Sequence, residues 1–318
     1  MAIDPSLAGS APAPLLLLAL ALTVEALTAR LGRGPWWLSP VRGATRAMTW
    51  IEPRLNRPRR SAPTRIVRGL AATAIVGAVF AAAALGADWL AATFSYGWVA
   101  AFALMVALLD GGGPLDEAAR VARALRAGDL LAARATAQGT LGPAARRMDR
   151  LELTAALTCR LGWRVCVGAI APVIWFAVLG LPGLAVYRAL AAVAAAWAIL
   201  DSPRKAFAFL PLRLHELAAL GPAVATGLLI VAACLFAPGG RAIKAATAWL
   251  RGPAGPAFSQ GWVEAVTASA FGPPPPTRLP SVTASVNALR AVVYLGALVL
   301  AFAIALVALA GSYDVPLP

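Results

Sequence analysis

The chain has 318 residues, 60% of them hydrophobic and only 13% charged, with a mean hydropathy of +0.75. Soluble domains average roughly 45–50% apolar and about 25% charged residues, so this composition excludes a soluble globular class and indicates an integral membrane chain. The formal charge of +14 comes without stacking aromatics or a nucleic-acid-binding module. Membrane topology and anionic headgroups account for it, and no nucleic acid is expected as a partner.

A helix needs about 20 mostly apolar residues to cross a bilayer. The candidates in chain order are Ala13–Thr28, Leu70–Phe94, Gly97–Leu109, Val167–Leu181, Gly183–Leu200, Leu217–Phe236 and Ala291–Ala310. Short alternating strands are missing, which argues against a transmembrane barrel. The expected fold class is all-α: a polytopic helical membrane bundle with about six or seven transmembrane helices and cytoplasmic helical loops, as one domain over residues 1–318.

The first apolar run follows "MAIDPSLAGSAPAP", which has no basic residue. A secretory signal carries positive charge there, so the run reads as a retained helix with its amino end outside. Next comes a basic loop, Arg30–Arg68, with Arg42, Arg46, Arg54, Arg57, Arg59, Arg60 and Arg65. Loops this basic stay cytoplasmic, which predicts a multi-pass chain with its basic loops on the cytoplasmic side.

After the Leu70–Leu109 region, "DGGGP" at Asp110–Pro114 is glycine-rich but lacks the Lys-Ser/Thr ending of a phosphate loop. It reads as a helix break. A soluble-like helical segment fills 110–164. Its Cys159 is seven residues from Cys166 and shares a helix face with it; with Cys234 these show no CxxC spacing, so packing is their expected role. The two arms of Val167–Leu200 should form a tight antiparallel hairpin about Pro182-Gly183. The basic stretch Asp201–Glu216 contains His215, the single histidine of the chain, so no multi-histidine metal site can form. A Pro/Gly-rich region covers 239–290. It falls outside if Leu217–Phe236 crosses fully, a conflict with its Arg241, Lys244, Arg251 and Arg278 that leaves the span count at six or seven. Within it, Trp249–Pro280 reads as poor in regular structure, with an extended, stiff Pro273–Pro276. That stretch is either a surface for another membrane protein or a linker.

The order of elements carries a resemblance. "SPVRGATRAMTWIEPRLNRPRRS" (Ser39–Ser61), "ARVARALRAGDLLAARATAQGTLG" (Ala119–Gly142), "APVIWFAVLGLPGLAVYRA" (Ala171–Ala189), "LPLRL" (Leu210–Leu214) and "GWVEAVTASAFG" (Gly261–Gly272) occur in sequence. Together they resemble the CobD/CbiB membrane proteins of cobalamin biosynthesis, from about residue 15 to about residue 310. The resemblance implies adenosylcobinamide-phosphate synthase activity, in which ATP drives the joining of a cobyric-acid carboxyl to aminopropanol or its phosphate.

Measured against that family, polar motif residues are missing here. Ser39-Pro40-Val41 stands for His-Pro-Val, and Gly34-Pro35 for Asp-Pro. Gly142-Pro143-Ala144-Ala145 stands for Gly-Arg-Asp-Thr. In Cys159–Gly168, Cys159 and Trp163 replace glutamates, Arg164 an Asn and Val167 an Asp. The stretch Tyr187–Ala195 keeps Tyr187 but has alanines for Asn, Asp and Ser. ATP-dependent amide formation needs carboxylates for Mg²⁺, basic groups for the polyphosphate and a route for the amine proton. With that acidic half gone, the expectation is a non-catalytic paralogue that binds or joins a membrane complex. Active synthesis is the alternative, and transport a distant one. No cofactor is expected, with ATP, Mg and corrinoid implied only if the family activity is retained.

Partners are then the lipid bilayer and a membrane protein or second copy. The weak catalytic candidates are Arg188 and Glu264. Arg188 shares with Glu25 and Asp88 the position of an ionisable group in or near an apolar run, where charge is costly and points to function or to a structural pairing.

Overall fold

The computed structural model describes residues 14–30, 39–57, 59–109, 112–198, 205–236, 240–253, 257–271 and 296. Among these the architecture is all-α, with no strand. The elements are α1 (Pro14–Arg30), α2 (Pro40–Leu55), α3 (Ala62–Thr93), α4 (Trp98–Leu108), α5 (Gly112–Arg126), α6 (Leu130–Leu141) and α7 (Arg150–Val165). After these come α8 (Ala171–Trp197), α9 (Lys205–Ala218), α10 (Leu220–Phe236), α11 (Ala242–Leu250) and α12 (Phe258–Phe271).

The helix starts follow local chemistry. Proline opens α2 and sits in the first turn of α3, where its missing N–H costs nothing. Asp129 caps α6 by accepting from the Ala132 amide at 2.8 Å. Asp149 and Glu152 form a reciprocal capping box at the start of α7.

Packing divides the described helices into two groups. One core joins α5, α6 and α7 to α10, α11 and α12, centred on Leu153, Leu157, Leu161, Ile230 and Val266. The other joins α1 and α4 to α3 and α8, around Leu18, Ala84, Leu108 and Leu184. A smaller cluster ties α2, α3, α8 and α9 through Met48, Trp197 and Phe207. The chain crosses from the second group to the first at α4–α5, returns at α7–α8 and crosses again at α9–α10.

That passage carries two departures from the regular α-helix. Residues Cys166–Ile170 form a π-helical turn, in which the Ala171 amide reaches back five residues to the Cys166 carbonyl. Inside α8, Gly180 adopts φ 68°, ψ −159°, outside the helical range and open chiefly to glycine. The chain folds back there. Trp175 stacks on Tyr187 with ring centroids 6.4 Å apart, and Ala171 shares a cluster with Ala191. Twelve residues of straight helix would separate Trp175 from Tyr187 by about 18 Å. Gly183 makes the tight return possible, since a Cβ there would lie 2.7 Å from the Trp175 carbonyl oxygen. The hairpin thus turns at Gly180, two residues before the proline, and not at Pro182-Gly183.

By length and composition two helical runs could cross a membrane: α3, and Arg150–Trp197, which contains α7 and the folded-back α8. Counting each bent pair as one span, Trp98–Leu108 with Gly113–Arg126 and Lys205–Ala218 with Leu220–Leu235, brings the number to four. This differs from the six or seven apolar runs because α4 is only 11 residues long and α1 contributes a short apolar stretch, Leu16–Glu25. The run Ala291–Ala310 lies outside the described residues.

Two stretches read as irregular are helical. Much of the basic loop 30–68 is α2, whose arginines mask a helical repeat. Within Trp249–Pro280, α12 forms because Ser259, Trp262, Val263, Val266, Thr267 and Ala270 recur at helical spacing and are all buried. Pro273–Pro276 lies outside the described residues.

Candidate functional site

A seam of buried and half-buried polar side chains starts between the two helix groups, at α8 and α9, and ends inside the first group, between α7 and α12. Arg188, on the second arm of α8, is 2% exposed. Its Nη1 donates to the Val167 carbonyl at 3.0 Å, within the π turn. A π turn widens the backbone ladder and often occurs at functional positions. Here it offers a main-chain acceptor to a guanidinium that would otherwise be costly in an apolar interior. The bond also joins the stretch Cys159–Gly168 to the stretch Tyr187–Ala195.

His215 on α9 completes an aromatic ladder beside Arg188. Its ring stacks on Tyr187 at 5.9 Å and meets Trp163 edge-on at 5.8 Å. Trp175 continues the ladder beyond Tyr187 and donates its indole N–H to the Ala218 carbonyl at 3.1 Å. Tyr187 Oη and His215 Nε2 are buried, with no hydrogen-bond partner among the described residues. Buried polar atoms in this state are uncommon and mark a position where a polar group or water is accommodated.

One residue further, Glu216 turns to α12. Its Oε2 accepts from the Ser259 amide at 2.7 Å and the Gln260 amide at 3.3 Å, and its backbone carbonyl accepts from Ser259 Oγ at 2.7 Å. The start of a helix presents unsatisfied amides and a partial positive charge. Position 257 is alanine and supplies no side-chain cap, so a carboxylate from α9 serves instead.

The seam ends at Glu264, whose Oε1 accepts from Gln260 Nε2 at 3.0 Å and from Arg160 Nη1 at 3.1 Å. Gly162 on α7 lets this contact close, because a methyl there would overlap the Thr267 side chain. Small residues at such crossings are how membrane helices approach one another.

The two candidates picked from sequence therefore occupy opposite ends of one seam. Arg188 lies with Tyr187 and His215, and Glu264 with Arg160 and Gln260. No bond joins them directly among the described residues. Glu216, Ser259, Gln260 and Arg160 were missed. Glu216 and Ser259 are 43 residues apart, and their pairing leaves no local signature. Of the other ionisable groups in apolar runs, Asp88 is exposed near the end of α3 and Glu25 is partly buried in α1. Cys159 is half-buried, and Cys166 and Cys234 are buried and free of disulfides.

Among the described residues, no group of three or more His, Cys, Asp or Glu comes together in a way that could hold a metal ion. The two carboxylates of the seam face protein donors, one set of backbone amides and one Arg–Gln pair. They do not fit a magnesium polyphosphate.

The fold and seam define an all-α chain with apolar helices of membrane-crossing length and a polar interior. The chain belongs to the CobD/Cbib protein family, whose pattern matches residues 18–273. It is similar to a cobalamin biosynthesis protein CobD of Sinorhizobium sp, with 29% identity over 265 residues, 81% of each chain. It is also similar to a cobalamin biosynthesis protein CobD of Rhizobium meliloti (strain 1021), with 32% identity over 159 residues, 49% of each chain. No solved structure matches it.

Proposed function

We propose that this CobD/CbiB-family membrane protein is a non-catalytic paralogue, which serves cobalamin biosynthesis by binding or as part of a membrane complex. The observation that carries this reading is the commitment of both seam carboxylates to helix packing. Glu216 caps α12, and Glu264 is tied to Arg160 and Gln260. Freeing either to hold a metal would break contacts between helices. Trp163, standing where the family resemblance implies a glutamate, packs against His215. The reading includes six or seven spans, with Ala291–Ala310 as the last, and basic segments facing the cytoplasm of a bacterial inner membrane. Its partner is a second membrane protein or a second copy of the chain.

Active synthesis is the second reading. It is favoured by the buried Tyr187 Oη and His215 Nε2, which leave hydrogen-bonding capacity in the seam. Purified protein incubated with adenosylcobyric acid, aminopropanol phosphate, ATP and Mg²⁺ separates the two. The expected outcome is no amide product, and no rescue of a host lacking its own synthase. Each lost transition-state contact of about 1.4 kcal/mol costs roughly tenfold in rate, and several are gone. Rescue at ordinary expression would refute the non-catalytic reading.

A further inference from the structure

The strongest unassigned surface is the outward face of α2. Arg42, Arg46, Trp50 and Arg54 follow one another at four-residue spacing, so a single helix face carries all of them. All four are exposed, while the opposite face buries Val41, Met48 and Glu52. The Arg54 guanidinium lies 3.5 Å over the Trp50 ring and donates to the Trp50 carbonyl at 2.7 Å. Trp50 itself is 62% exposed. An indole left in the open with arginines on either side is the pattern of a helix lying at a membrane interface.

Charge gives the face its complement. Between Ser39 and Leu70 the chain has eight arginines and one acid, Glu52. That acid is buried and accepts from Asn56 Nδ2. Neither of the ion pairs found among the described residues involves Arg42, Arg46 or Arg54.

The following helix gives the face its depth. The stretch of α3 from Gly69 to Ala87 holds no charged residue. It rises about 28 Å, close to the ~30 Å hydrocarbon thickness of a bilayer. Ile75, Val79 and Leu85 are exposed along it, and Trp89 with Phe94 marks its far end. Arg65 and Arg68 lie at the near end of that stretch, and α2 immediately precedes α3 in the chain.

We propose that the Arg42–Arg46–Trp50–Arg54 face of α2 docks anionic phospholipid headgroups of the leaflet in which α3 begins. The arginines take the phosphates through their planar donors, and the indole sits at the boundary with the acyl chains. The face is independent of the seam and of any catalytic activity there.

The test uses the full chain, delipidated in mild detergent and offered equal amounts of phosphatidylglycerol and phosphatidylcholine. Native mass spectrometry counts the lipids retained. Wild type should keep phosphatidylglycerol in preference, and R42Q/R46Q/R54Q should lose that preference by roughly tenfold or more. The single variant R46E, at a position with no bonded side-chain neighbour among the described residues, should lose much of it while keeping the wild-type circular dichroism. R120Q/R123Q on α5 should retain it. Equal retention of the two lipids by wild type would overturn the proposal. So would an undiminished preference in folded R46E, or binding of an acidic peptide or oligonucleotide by a wild type indifferent to phosphatidylglycerol.

Discussion

Single glycines show where the helices depend on close approach. A methyl at Gly69 would overlap the carbonyl of Phe207, because α9 crosses α3 backbone to backbone at that point. Gly77, two turns along the same helix, has nothing within 4 Å of the corresponding position. The two substitutions should therefore have opposite signs. Gly69→Ala forces the helices apart and should cost about 1–3 kcal/mol. Gly77→Ala removes backbone freedom without a clash and should be neutral or stabilising by up to about 1 kcal/mol. Thermal unfolding of the two variants in detergent checks both. A Gly69→Ala midpoint at or above that of Gly77→Ala would contradict the packing. The sequence does not separate the two, because nothing local to either glycine tells what lies opposite it. The difference comes from what another helix places opposite.

Among the elements, the α8 hairpin is the one most fully legible beforehand. Two apolar arms about a Leu-Pro-Gly stretch announce a reversal, and the chain does reverse. The turn falls at Gly180 because its positive φ is available to glycine, while proline suits the first turn of the returning arm. In a cysteine-free background, Ala171→Cys with Ala191→Cys should cross-link within one chain on mild oxidation of native membranes. Ala171→Cys paired with Ala198→Cys, a further two turns away, should not. A straight helix would give neither cross-link. Helices α2 and α12 were illegible for a shared reason. Arginine clusters and flanking Gly and Pro suggest loops by composition, whereas the residues that make each helix pay are spaced apolar positions inside them. The π turn at Cys166–Ile170 has no counterpart in the sequence pattern at all, since it arises where α7 and the returning arm of α8 meet.

For the molecule as a whole, apolar run length announced the class, and the described residues support two to four of the six or seven expected spans. Hydropathy reports whether a segment tolerates lipid; it does not report whether neighbouring segments join at an angle. The break between α9 and α10 bends the pair by 48°, a geometry shared by a broken span and a re-entrant loop. The side on which the basic residues lie follows from the charge rule alone. Arg57→Cys, just past α2, should react with a membrane-impermeant maleimide in inside-out vesicles and stay unlabelled in intact spheroplasts. The reverse pattern would invert the topology and move the α2 face to the outer leaflet, where its lipid preference should be measured instead. The seam was half legible: Arg188 and Glu264 stood out as charges in unusual company, while Glu216 hid in a basic stretch.

The capping of α12 by Glu216 has a bearing on how the protein is made. Gln260 lies 44 residues after its acceptor, so α9 has left the ribosome well before the start of α12 appears. A nascent α12 therefore has no cap of its own and gains one only when it reaches a helix already in place. Synthesis in this order gives the late helix a ready docking point, and it withholds full stability from any chain that stops short of residue 260. The carboxylate thus acts as a latch that only a chain reaching residue 260 can close.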